Sequence, residues 1–158
     1  MKKRTFCLIA AGGLLFGCVT APIPEPIIIT NGQGEIAGEV TDDSVILQSR
    51  LTTEAVVVDG DVPGAPGIAR FVLSTSDDFS NATTSPWLEA TAANDYIIKT
   101  LMTRLDAGTR YYYRLEYGPT QENTRIGPTR SFSTLVGAEG NAEVNFVVVT
   151  GMNYALFH

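Results

Sequence analysis

The sequence predicts an all-β fold, a sandwich of antiparallel sheets, and three observations carry that prediction. From Gly34 onward the chain is a series of short segments with strand composition and no convincing helical pattern. Turn chemistry separates those segments at the spacing expected of a sandwich. The segment from Leu105 to Pro119 alternates its side chains with a clean period of two. With 44% hydrophobic and 18% charged residues among 158, the chain has the composition of one ordinary globular domain.

Ahead of the sandwich stands a processing signal. Lys2, Lys3 and Arg4 form a positive stretch, and Phe6 to Phe16 form an apolar run too short to span a bilayer. Gly17 directly before Cys18, with Leu15 three residues ahead of it, resembles the lipobox of bacterial lipoproteins. Residues 1–17 are therefore expected to be removed and Cys18 to be lipidated, since several acyl chains make a stable membrane anchor. An ordinary secretory signal is the alternative, and either one exports the protein, with its domain facing the periplasm or the cell surface. Cys7 lies inside the signal, so no disulfide or thiolate metal site is expected. Losing three cations and no acid moves the net charge from −6 to −9, which excludes a basic nucleic-acid footprint. Pro22, Pro24 and Pro26 favour extended backbone, so residues 18–33 read as a tether.

The sandwich is expected over 34–135. Segments 35–40 and 44–51 are the first two strands, joined at Thr41-Asp42-Asp43. Pro63 and Pro66 break the loop 60–67, and in the strand 68–76 Ala69, Phe71 and Leu73 share one face. A strand of mixed pattern spans 95–102. Next come Tyr111, Tyr113, Leu115 and Tyr117 on one face, with Arg110, Tyr112, Arg114 and Glu116 on the other. Leu105, the Gly108 turn and Tyr111 match a tyrosine corner, in which the phenol bonds to backbone near the preceding turn. Segment 125–135 closes the sandwich, 136–142 is a Gly-rich linker, and Phe146 to Thr150 read as a strand buried on both faces in a parallel sheet.

Chemistry-bearing residues are sparse. His158, the last residue, is the one histidine, so a catalytic triad or a multi-ligand metal site has no imidazole partner within the sandwich. Gly60-Asp61 superficially matches a metallophosphatase motif but sits where a turn explains it. Asp77 and Asp78 read as turn formers rather than calcium ligands, and Asn81-Ala82-Thr83 fits a glycosylation acceptor. Arg104, Arg110, Arg114, Arg125 and Arg130 face either a partner or cross-strand acids such as Glu116 and Glu122. Trp87 is expected as a core or sheet-edge anchor, with carbohydrate stacking as the alternative.

The ordered blocks 38–52, 69–82, 105–118, 126–134 and 144–154 resemble PhoD-like alkaline phosphatases: a fibronectin type III or immunoglobulin-like N-terminal sandwich leading into an α/β metallophosphatase domain. The resemblance covers residues 34 to 154 and implies that 143–158 begin a catalytic domain whose remainder is absent. It implies a non-catalytic role for the sandwich, docking within the same protein against that domain, which would hydrolyse phosphate mono- or diesters. It also implies a divalent or trivalent metal, calcium or iron, in the parent protein, and none in this chain. Two departures stand out. Gln48 replaces a tryptophan common in the family, and Thr150 and Gly151 stand where it has Ser-Cys before the matching Asn153 and Tyr154, so the metal-ligand thiolate is missing. The competing expectation is a complete surface lipoprotein that binds a protein or glycan and catalyses nothing.

Overall fold

A computed structural model of the chain describes residues 28–138, 140, 141 and 143. Within them the fold is all-β and antiparallel, with one short 3-10 turn at Ala92–Asn94. The strands are β1 (Glu35–Gly38), β2 (Ser44–Arg50), β3 (Gly67–Ser74), β4 (Thr83–Thr84), β5 (Leu88–Ala90), β6 (Ile97–Thr103), β7 (Arg110–Thr120), β8 (Asn123–Ile126) and β9 (Arg130–Ser133). One sheet has the order β1-β2-β6. The other runs β4-β3-β7-β8, with β5 also on β3 and β9 also on β7.

Period-two alternation decides which side chains meet between the sheets. Val45, Leu47 and Ser49 of β2 point inward, as do Ala69, Phe71 and Leu73 of β3 and Tyr111, Tyr113, Leu115 and Tyr117 of β7. All of those but the buried, polar Ser49 make, with Leu51, Ile98 and Met102, one buried cluster that joins both sheets. Leu47, Phe71 and Leu115 are fully buried, each contributing about 1.5–3 kcal/mol over an exposed position. Phe132 of β9 extends the cluster, its ring stacked on Tyr111 at 5.7 Å and tilted against Tyr113 at 5.9 Å.

Turn geometry explains where the sequence reading and the structure part. The closing segment 125–135 is two strands, because Gly127 leaves the ladder to donate to the Leu115 carbonyl at 2.8 Å and Pro128 has no N–H to continue it. β8 and β9 then take separate stretches of β7. The mixed strand expected from Asp95 starts at Ile97, since Asp95 and Tyr96 both have left-handed backbone. Thr83–Thr84 and Leu88–Ala90, two and three residues long, were too short to carry a pattern, yet both pair with β3. The expected tether also ends sooner than residue 33. Ile29 is in the core and Thr30 bridges Thr52, so the turn 31–34 belongs to the sandwich. The signal, Cys18, the three alternating prolines and the terminal strand lie outside the described residues.

Close approach of backbone requires a glycine at position 118. A Cβ on Gly118 would lie 2.0 Å from the Asn123 carbonyl oxygen, at the point where the β7–β8 register shifts.

Candidate functional site

The three residues expected at the tyrosine corner meet at the base of the sandwich. Gly108 turns with φ of +60°, a conformation that suits glycine, and its N–H donates to the Leu135 carbonyl at 2.9 Å. Five residues of chain separate Asp106 from Tyr111, whose hydroxyl accepts the Asp106 N–H at 2.8 Å. Leu105 packs on the core, and its own N–H donates to Asp43. Thr134 completes the knot by donating from its hydroxyl to the Asp106 carbonyl at 2.7 Å. This arrangement holds a crossing between sheets, and its groups are spent on backbone.

The outward face of the larger sheet carries the densest array of charged and aromatic groups. Cross-strand register sets Arg70 opposite Glu116 and Val72 opposite Arg114. Arg70 donates from Nε to Glu116 at 2.8 Å, and its Nη2 lies 2.8 Å from the same carboxylate. Arg114 reaches the other Glu116 oxygen at 3.6 Å. Each guanidinium also covers a ring, Arg70 over Trp87 at 4.6 Å and Arg114 over Phe79 at 4.2 Å. The row Trp87, Arg70, Glu116, Arg114, Phe79 thus roofs Val72, which is buried although it points away from the core. Arg114 Nε is buried without a hydrogen-bond partner in this row. Sequence reasoning named Arg114 and Glu116 without pairing them and expected Trp87 in the core or at a sheet edge, and it missed Arg70 and Phe79. Strand register was the signal for Arg70, whereas Phe79 arrives through a loop at φ of 59° that no pattern specifies.

The remaining arginines do not form one patch. Arg110 leans over Tyr112 and donates to Ser131, Arg130 pairs with Glu35 at 3.4 Å on the lateral edge, and Arg125 sits opposite Tyr117. Arg104 takes left-handed backbone beneath β6. Burial raises the Tyr113 and Tyr117 phenols above their ordinary value, and the Glu35 charge adds to this at both.

Two open clefts were weighed as ligand sites. The first, about 240 Å³, is lined by Gln48, Arg50, Asp61 and Asp95. Its cation is consumed internally, because Arg50 donates to the Asp95 carbonyl and carboxylate at 2.9 Å each and to the Val62 carbonyl at 2.5 Å. The second, about 250 Å³, lies between Asn81, Thr83, Arg104 and the tyrosine corner. Asp78 is held below the usual carboxylate range by the Ser80 amide and then the Ser80 and Ser76 hydroxyls, so it serves its own turn. Gly60-Asp61 likewise closes a two-bond turn with Val58. Among the described residues no group of three or more His, Cys, Asp or Glu could hold a metal. The described residues therefore offer no ligand set that fits the metal the resemblance implies, and no step of phosphoester chemistry is assigned to them. Thr150, Gly151, Asn153, Tyr154 and His158 lie outside the described residues.

Comparison with known proteins gives the fold a setting. The family described as PhoD-like phosphatase, N-terminal domain, matches residues 30–133. No curated protein sequence matches. Among solved structures, that of PhoD superposes with a TM-score of 0.57 at 20% identity, covering 77% of this chain and 22% of that one. The sensor domain of the anti-sigma factor RsgI4 from Pseudobacteroides cellulosolvens follows with 0.48 at 13% identity, covering 71% and 97%. A human fibronectin type-III domain gives 0.46 at 10% identity, covering 76% and 98%. The chain spans about a fifth of the length of the PhoD structure that it matches.

Proposed function

Because the chain belongs to the family of PhoD-like phosphatase N-terminal domains, we propose that it is the non-catalytic sandwich of an exported, membrane-anchored phosphatase. In this reading Cys18 carries the lipid, residues 19–28 lift the domain from the membrane, and a catalytic domain docked against the sandwich hydrolyses phosphate mono- or diesters. The family match over nearly the whole sandwich is the observation that carries it. The geometry is consistent, since the polar groups at the tyrosine corner, at Arg50 and in the Arg70–Glu116 pair are occupied with one another. Two-metal hydrolysis needs clustered carboxylate and imidazole ligands to bind phosphoryl oxygens and generate hydroxide. Those ligands are assigned to the catalytic domain.

The test is an assay of the chain on a phosphodiester substrate with calcium, iron, manganese or zinc added in turn. Background rates are expected throughout, and turnover that survives repurification would overturn the proposal. Export is read separately from the mass of the mature protein, which should begin at a lipidated Cys18.

A further inference from the structure

The outward face of the three-stranded sheet is left bare, and its composition differs from that of the opposite face. Ile36 of β1 and Leu101 of β6 are each 59% exposed, and Ile46 of β2, half-buried, lies between them, opposite both Gly38 and Leu101. Lys99 stands exposed on the same face, opposite Gln48. It is the one lysine after residue 4, and no ion pair among the described residues includes it. On the larger sheet, by contrast, guanidiniums, rings and a carboxylate cover the outer face with one another.

The path of the chain indicates what covers the bare face. After β9 the backbone crosses to the smaller sheet, where the Leu135 N–H donates to the Thr41 carbonyl at 2.9 Å in the turn that joins β1 to β2. Leu135 and Val136 are themselves exposed there. The chain thus leaves the sandwich at the end where β1 turns into β2, with the Leu135 carbonyl also accepting from the Gly108 N–H in the turn that leads into β7. Whatever follows within a few residues starts at that end of the smaller sheet. Exposed aliphatic side chains with an unpaired cation beside them make a surface that a partner offering apolar contacts and a carboxylate would complement.

We propose that the outward face of β1, β2 and β6 is where the catalytic domain of a PhoD-like phosphatase docks, through an apolar patch bearing a carboxylate for Lys99. This rests on the accessory-domain reading above. The probe is the metallophosphatase domain of a PhoD-like protein from the same genome, produced without its own N-terminal sandwich and titrated with the full chain by calorimetry. The wild-type chain is expected to bind, and Ile36→Lys with Leu101→Lys should weaken binding at least tenfold at an unchanged melting temperature. If that pair disturbs folding, Lys99→Glu should weaken binding by a similar factor, and a carbodiimide should join Lys99 of the wild type to a carboxylate of the probe. Equal binding by wild type and variants overturns this surface while leaving the accessory reading intact. Loss of binding in Tyr112→Lys alone would move the interface to the other sheet. No binding by the wild type would overturn docking itself.

Discussion

Replacing Tyr111 with phenylalanine removes one oxygen atom from the base of the sandwich. The ring would keep its stack on Phe132 at 5.7 Å and its place in the core, where Tyr111 is 6% exposed. The Asp106 N–H would lose its acceptor at 2.8 Å. A made hydrogen bond contributes about 0.5–1.5 kcal/mol net, and a buried donor left unpaired costs about 1–3 kcal/mol. Asp106 itself is exposed, so water reaches part of that vacancy, and the expected loss is about 1–2 kcal/mol. For a domain of this size each kcal/mol shifts the melting temperature by about 4–8 °C. Thermal melts should therefore show a drop of about 4–16 °C, and urea titration an unchanged m-value. Tyr112→Phe, on the solvent side of the same strand, should stay within about 0.5 kcal/mol of wild type. A Tyr111→Phe protein no less stable than the Tyr112→Phe control would refute the clamp.

Further outcomes follow from neighbouring contacts. Glu35→Ala deletes a carboxylate with a fully buried side chain that accepts from Asn31 at 2.5 Å and from Arg130 at 3.4 Å; because Arg130 is 51% exposed, the urea midpoint should report a loss of about 2 kcal/mol rather than that of a buried pair. Gly118→Ala forces the β7–β8 backbones apart, and a loss of about 3 kcal/mol in the same titration is expected from a Cβ placed 2.0 Å from a carbonyl oxygen. Alkaline stability should fall for a definable reason. Tyr113 and Tyr117 ionise in the unfolded chain near the ordinary tyrosine value of about 10 and higher in the folded one, so the native state binds more protons in that window. Their stabilising contribution is complete below pH 10 and lost as pH rises through the folded values; tyrosinate absorbance rising in step with unfolding, rather than before it, is the check.

The strands that were legible in the sequence are those long enough for period two to repeat. β7, with four inward positions from Tyr111 to Tyr117, showed its inner face in full, and β3 did so through Ala69, Phe71 and Leu73. The tyrosine-corner spacing was equally readable, because a local turn fixes which backbone amide the phenol meets. β4 and β5 were not, since two or three residues hold no period, and their pairing is imposed by β3. Nor was the inward role of Ile29, where proline-rich composition nearby suggested a tether but burial against the sandwich prevailed. The Arg70–Glu116–Arg114 row needed register between residues 46 apart, which alternation within one strand cannot supply.

Thr30 bridges Thr52 beyond one end of β2, whereas Leu135 bonds to Thr41 beyond the other. At about 3.3 Å per residue, β2 alone puts on the order of 20 Å between those two points. Because β1 and β9 both run antiparallel to the neighbours that hold them, tension applied at the two points acts along the strand axes. The ladder bonds would then share the force in shear instead of opening one at a time. Force applied at those two points would thus meet resistance along the strands of both sheets rather than across them.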